Sequence, residues 1–485
     1  MNLKSLLFLV LLAISLSLSI FPIGDSDSWW HLKTGEYIVQ HRTIPTTDIF
    51  SYTAYGNRWI THEWLFEALA YGVYAIGGLE GVIVAKAILV CCFFLVLLIF
   101  CEQRQVPTAF TVLFLLLLGL LSTGRFSERP QLFTFLFTAV FLLILYNYRD
   151  FGKNWLPALP VITVLWANIH SGFIFGLGIA TVFAVVEGVL HRKWDRRLAL
   201  IILISYAASL LNPNTYHAVF YPFWLVTNPT FKNVITELQS PYHPIHATAT
   251  FVFYFHLVLV LTVGAILWRG LRHKIWDITS ILLVILFTVG TILASRNRVL
   301  FAVVTVPVFA GLFTGFQPDR IPQRIWRLFH LAVVLIGMGF VLYTLKFGLK
   351  MDRYTSRQVK LGVENWTPTG AVQFIRQANL QGNLFNHFSF GGYLIWSLYP
   401  DRLIFIDGRN DVFGEDLFQD YRTIMRRLEG FEALIDTYRI DYFVLRTPAA
   451  DWYGREESFI HSYLAPHPDW ALVYFDDVSL IYARR

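Results

Sequence analysis

The sequence predicts a polytopic α-helical membrane protein with a small α/β domain at its C-terminal end. Of its 485 residues 55% are hydrophobic and only 15% charged, with a mean hydropathy of +0.52, a balance foreign to a soluble enzyme of this length. The apolar residues gather into runs of membrane-spanning length, and those runs stop at about residue 351, beyond which charges become frequent. The expected division is therefore a membrane domain over 1–350, with an outer loop over 24–78, and an α/β domain over 351–485.

The runs lie near 5–23, 80–100, 107–123, 131–147, 156–169, 172–190, 198–211, 249–268, 278–295, 299–316 and 328–348. They predict about eleven spans, several of them short. Lys4 marks an inside N-terminus, and alternation then puts on the inside the loops with Arg104, Arg149, Lys153, Arg192, Lys193, Arg196, Arg197, Arg269, Arg272, Lys274, Arg320, Arg324 and Arg327. Segments 25–78, 212–247 and the region from about 350 onward then face outward. A cleaved signal peptide is the other reading of the first run, whose n-region has one lysine and whose end shows no clear A-x-A site.

The formal charge of +6 comes mainly from these short loops and contains no basic block with interleaved aromatics, so it argues for membrane topology and against nucleic acid as a partner. Cys91, Cys92 and Cys101 share one apolar run and cannot form a disulfide framework. In the C-terminal region, strands are expected at 383–386, 403–407, 441–445, 471–475 and 479–483, and helices at 369–379 and 415–438. The pair Gly391 and Gly392 and the triplet 407–409 mark turns, one entering a helix and one leaving a strand. Phosphate-loop, zinc and Ser-His-acid patterns are missing.

Residues 25–67 carry the densest chemistry, opening on DSDSWWHLKTGEY and closing on THEWLFEAL. A carboxylate beside hydrocarbon costs several kcal/mol unless it faces water or a partner, so Asp25, Asp27 and Glu63 after the first apolar run point to a polar cavity. Either aspartate also suits a helix cap before a helix starting near Ser28. His62 and Glu63 serve equally as acceptor-orienting groups, as ligands of a divalent cation with Asp27, or as partners of Lys33 or Arg58. His31 reads as an interfacial anchor.

The acidic loop after the first helix, with DSWWHL at 27–32, resembles the corresponding motif of oligosaccharyltransferase catalytic subunits, and the plan of spans resembles the GT-C class of polyprenyl-phosphate-sugar-dependent glycosyltransferases. The set from DSDSWWHLKTGEYIVQHRTIPTTDIFSYT through THEWLFEAL, WANIHSGFIFG, LNPNTY and SRNRVLFA to FGGYLIW and FIDGRND is similar to a bacterial group related to the protein O-mannosyltransferase and aminoarabinose transferase families. The WWDYG signature of oligosaccharyltransferases is missing, which argues against asparagine glycosylation. The resemblance implies a bacterial inner-membrane glycosyltransferase with a cytoplasmic N-terminus and an extracytoplasmic C-terminal domain, moving a sugar from a polyprenyl-phosphate donor to a cell-envelope acceptor.

In such a reaction the acceptor must lose a proton, and the resemblance assigns that proton to Asp27, with Asp25 as the other candidate. The donor's phosphate would need cations at the outer rim, and Arg125, Arg129, Arg296 and Arg298 stand in outer loops against the inside bias. His170 is a further candidate there, or a histidine hydrogen-bonded in a helix turn. The aromatic loop 212–247 reads as an interfacial helix with one acid, Glu237, and Lys86 within a span calls for a partner. A lipid-sugar carrier and a non-catalytic assembly subunit remain the alternatives; a carrier is expected to show paired broken helices, and an internal repeat is not visible.

Overall fold

The computed structural model describes residues 3–352, 355–447 and 456–485. In chain order its elements are α1 (Leu3–Ser17), α2 (Ser26–His41), α3 (Trp64–Gln103), α4 (Thr108–Leu121), α5 (Gln131–Phe151), α6 (Ala158–Ile169), α7 (Phe173–Leu190), α8 (Arg196–Ala208), α9 (Tyr216–Thr227), α10 (Pro229–Val234), α11 (Thr250–His273), α12 (Ile278–Leu293), α13 (Arg298–Gly311) and α14 (Gln323–Phe347). They continue as β1 (Leu349–Lys350), β2 (Ser356–Arg357), α15 (Thr369–Gln377), β3 (Asn383–Asn386), α16 (Gly391–Leu398), α17 (Asn410–Arg426), α18 (Phe431–Thr437), β4 (Ile440–Arg446), α19 (Glu456–Leu464), β5 (Trp470–Phe475) and β6 (Ser479–Arg484).

Every expected apolar run forms a helix. Among the described residues α3, α5, α7, α11 and α14 are long and apolar enough to cross a membrane, and α1, α4, α6 and α12 are shorter apolar helices. The chain gathers into two compact units, residues 1–22 with 80–361 and residues 23–79 with 362–485. Compaction thus cuts across the division by hydropathy, because the polar segment after α1 folds with the C-terminal region. Gly78, at φ 63°, breaks α3 at the boundary, a conformation that only glycine adopts without strain.

In the helical unit, apolar side chains from α1, α3–α8 and α11–α14 share one core. Phe114 and Phe309 stack with centroids 3.9 Å apart, joining α4 to α13. Gly337 on α14 lets Val10 of α1 approach where a Cβ would collide. Arg149 at the end of α5 donates two bonds of 3.1 Å to Asp277, the N-cap of α12. Lys86, on α3, finds its partner in Glu128 at 3.0 Å, with the Phe21 carbonyl at 3.2 Å. The three cysteines are free thiols.

The second unit is built on a four-stranded sheet of order β3-β4-β6-β5, with β3 and β4 parallel and the other pairs antiparallel. Strands at 383–386, 441–445, 471–475 and 479–483 are found where the alternation puts them. The strand expected at 403–407 is absent from the sheet. There Ile404 bridges to Ser51, and the Asn386 amide takes the inner hydrogen bonds, accepting from Phe405 N at 2.9 Å and donating to Ile406 O at 2.8 Å. The helix expected at 415–438 is two: α17 ends with Arg427 in the left-handed conformation at its C-cap, and α18 starts after Gly430, its N-cap, at φ 84°.

Candidate active site

Asp25 is the N-cap of α2: its backbone is extended (φ −79°, ψ 126°) and Oδ1 accepts from Asp27 N at 3.1 Å. Asp27 falls in the first turn, where the open amides of a helix start favour a negative group. The Asp27 carboxylate rests directly on Gly408, where any Cβ would strike it. The glycines of the FGGYLIW and DGR motifs have the same purpose. A Cβ on Gly392 would meet the Ser26 carbonyl, and one on Gly391 would meet Ile406 O and Asp407, so α16 can lie against the head of α2 and against the 406–407 segment only without side chains there. Trp29 seals this contact edge-on against Tyr393 at 4.9 Å.

Beneath Asp27 along α2, His31 is buried rather than interfacial, with 3% of its surface exposed. Its Nδ1 lies 3.2 Å from Glu67 Oε1 and its Nε2 lies 3.8 Å from Glu63 Oε2. Gly35 permits this, since the Glu67 carbonyl sits where a Cβ would project. His62 Nδ1 is 3.0 Å from the Ile60 carbonyl, to which it donates, and Nε2 is 3.5 Å from Glu63 Oε1. Burial works against a charged His62 ring, but the Glu63 carboxylate, the Ile60 carbonyl and Asp411 outweigh it and raise its pKa. His62 and Glu63 therefore pair with each other; Lys33 instead meets Glu36 at 2.7 Å. Asp411 accepts from Ile60 N at 3.0 Å, and burial pushes its carboxyl upward against the pull of that amide and of His62.

A buried ion network holds the turn that carries Gly408. Arg409 reaches Asp407 at 2.5 Å and Asp48 at 2.6 Å, all three side chains having 0% exposure. Its guanidinium also lies over Trp59, 4.6 Å from the ring centroid. Burial opposes the arginine's charge, and the two carboxylates more than restore it. Asp48 is in turn fixed by Phe50 N, Ser51 N and Ser51 Oγ.

In the helical unit, Arg125 Nη1 meets Glu237 Oε1 at 2.7 Å and Arg129 Nη1 lies 3.6 Å from the same oxygen. Burial raises the Glu237 carboxyl, but Arg125, Arg129 and Arg296 together pull it well below the usual carboxylate range. Three of the four outer arginines thus converge on one carboxylate, and the buried Nε of Arg125 meets no acceptor among the described residues. Arg298 behaves differently: it donates to the carbonyls of Leu121 at 3.1 Å, Thr123 at 2.7 Å and Ser295 at 3.2 Å, which pins the loop after α4 to the start of α13. His170 caps α6, and its Nδ1 accepts from Gly172 N at 3.0 Å and faces Thr134 Oγ1 at 2.7 Å. That assigns the ring proton to Nε2.

No group of three or more His, Cys, Asp or Glu side chains among the described residues is arranged to hold a metal ion. Sequence reasoning missed Asp48, Glu67, Arg409 and Asp411. The spacing of Glu63 and Glu67, one helical turn apart, was the available signal for the second of these.

No protein-family model matches the sequence. Over 215 residues, 41% of the chain, it is 25% identical to GPI mannosyltransferase 4 of Candida glabrata. That match spans 41% of the relative's own length. Among solved structures, the oligosaccharyltransferase AglB of Archaeoglobus fulgidus, in complex with an inhibitory peptide and a dolichol-phosphate, aligns with 91% of this chain and 69% of its own at TM-score 0.67 and 11% identity. ArnT from Cupriavidus metallidurans in the apo state aligns with 99% of this chain and 97% of its own at TM-score 0.54 and 13% identity. ArnT has also been solved bound to undecaprenyl phosphate, at TM-score 0.50. At such identities the likeness is one of fold, and in fold this chain is of the GT-C type shared by AglB and ArnT.

Proposed function

We propose that this chain is a multi-pass membrane glycosyltransferase that moves a hexosyl or pentosyl group from a polyprenyl-phosphate donor to an extracytoplasmic acceptor of the cell envelope, a glycan, lipid or protein, at a bacterial inner membrane. The observation that carries the reading is the seating of Asp27: a carboxylate in the first turn of α2, pressed onto Gly408 while Asp25 does the capping. Asp27 takes the proton of the acceptor hydroxyl or amine as that atom attacks the anomeric carbon. The bond from that carbon to the donor's phosphate oxygen breaks, configuration inverts, and polyprenyl phosphate leaves.

Within its own unit each remaining group has a role argued from its contacts. His62 and Glu63 shape the acceptor side, the Glu63 carboxylate favouring a proton on the His62 ring. Arg125, Arg129 and Arg296 take the leaving phosphate, on which negative charge grows as the sugar departs. His170, with its proton on Nε2, has a donor suited to the same phosphate. Arg298 keeps the loop in place. Fold-level likeness to AglB and ArnT, whose solved complexes contain dolichol-phosphate and undecaprenyl phosphate, supports a lipid-linked donor.

The test is release of polyprenyl phosphate by the purified protein from a panel of polyprenyl-phosphate sugars, with an envelope extract as acceptor. Turnover with at least one donor is the expected result. Donor binding without turnover under any acceptor condition would favour a carrier, and neither binding nor turnover an assembly subunit.

A further inference from the structure

The helical unit has a cavity of about 1320 Å³ between the C-terminal ends of α5 and α7 and helix α8. Its lining joins an apolar set, including Phe183, Leu198, Ile202 and Leu203, to a basic set, Arg149, Lys193, Arg196 and Arg197. Leu203 is 66% exposed, so the apolar side of the cavity is open. The two acids present are already engaged. Asp195 caps α8, accepting from Arg197 N at 2.9 Å and Leu198 N at 3.0 Å, and takes the Tyr148 hydroxyl at 2.5 Å. Glu187 accepts from Thr279 Oγ1 at 2.7 Å and faces Arg149 at 3.3 Å and His191 at 3.2 Å. Arg149 is held by Asp277, and Arg197 by the Asn154 amide oxygen. Among the described residues this leaves Lys193 and Arg196 with no acidic partner.

Helix α5 runs from Gln131, beside the Arg125 cluster, to Phe151, beside this cavity. Its 21 residues rise about 30 Å, the thickness of a hydrocarbon core. The two cationic sites are therefore at opposite ends of one span-length helix, and the cavity is at the end that the basic loops mark as cytoplasmic.

We propose that this cavity binds an anionic glycerophospholipid of the cytoplasmic leaflet, with its phosphate on Lys193 and Arg196 and its acyl chains along the apolar side of α8. A basic rim joined to an open apolar wall is complementary to a headgroup and its chains together, where a free phosphate would use only the rim. The proposal rests on reading the helical unit as membrane-spanning. Sugar transfer does not enter its readout, so its failure would leave the proposed reaction standing.

The test is native mass spectrometry of the full-length protein, delipidated and offered phosphatidylglycerol, phosphatidylcholine, a polyprenyl phosphate or inorganic phosphate. Phosphatidylglycerol is expected to be retained over phosphatidylcholine by roughly tenfold or more, a preference lost in the Lys193→Gln, Arg196→Gln double variant and kept in Arg272→Gln, which removes a basic residue from the last turn of α11. Both changed side chains are exposed, and helical circular dichroism checks that the variants fold. Leu203→Ser is expected to weaken retention with the basic rim intact. Equal retention of the two phospholipids, an unaffected double variant, displacement by millimolar inorganic phosphate, or preference for the polyprenyl phosphate would each overturn the assignment.

Discussion

At the scale of single residues, the two neighbouring aspartates differ in place: Asp25 caps α2, and Asp27 stands in its first turn against Gly408. Asparagine caps a helix as well as aspartate does, so Asp25→Asn should leave α2 and its surroundings intact. Gly408→Ala should disrupt the Asp27 seat, since its methyl would enter the volume of the carboxylate; transfer should fall at least tenfold, and a variant as active as wild type would contradict the geometry. His62 supplies a pH signature. Its pKa is raised in the folded protein, so its contribution to stability is full below the unfolded value of about 6.5 and is lost as pH rises through the raised folded value. Melting temperature measured across that window should fall with rising pH in wild type and flatten in Glu63→Gln, which removes the main partner. These pairings were only partly legible in the sequence. THEW showed His62 beside Glu63, but nothing in the chain order showed that His31 would be buried between Glu63, just before α3, and Glu67 in its first turn.

At the scale of elements, the loops that carry cations are held by contacts of two kinds. Arg298 is bound to three carbonyls and is expected to matter for stability; Arg125, Arg129 and Arg296 surround Glu237 on the segment after α10. A carboxylate on these arginines competes with a phosphate for the same donors. Glu237→Gln is therefore expected to raise affinity for polyprenyl phosphate by roughly tenfold, measured by equilibrium binding at fixed salt; unchanged affinity would mean that carboxylate and phosphate do not share the arginines. Four of the five expected strands were readable as short apolar runs with aromatic residues, two of them buried along almost their whole length. The fifth, at 403–407, has the same apolar composition but bonds to the Asn386 side chain and to the loop near Ser51, a substitution of side chain for strand that composition does not encode. Between α17 and α18 the first helix ends at Arg427 and Gly430 opens the second, a break that the helical periodicity on either side concealed.

For the whole molecule, hydropathy located the long apolar helices of the helical unit, because burial in apolar surroundings demands long apolar runs; the short helix α10 gave no such signal. It did not reveal that residues 23–79 fold with 362–485. That association depends on side-chain-free surfaces at Gly391, Gly392 and Gly408 and on one buried arginine, features that look like ordinary turns in a linear reading. Arg409→Ala is expected to destabilise the second unit by about 3–5 kcal/mol, because it strands two buried carboxylates. Thermal unfolding of purified protein checks this, and a loss under about 1 kcal/mol would show that the network is not what joins the segments. The likeness of fold to AglB and ArnT and the seating of Asp27 are the grounds for the proposed reaction. Its most direct test compares wild type, Asp25→Asn and Asp27→Asn for polyprenyl phosphate release at saturating donor. Asp25→Asn is expected near wild type and Asp27→Asn reduced by roughly 10²–10⁴-fold with donor still bound; full turnover in Asp27→Asn would contradict the role of Asp27 as base.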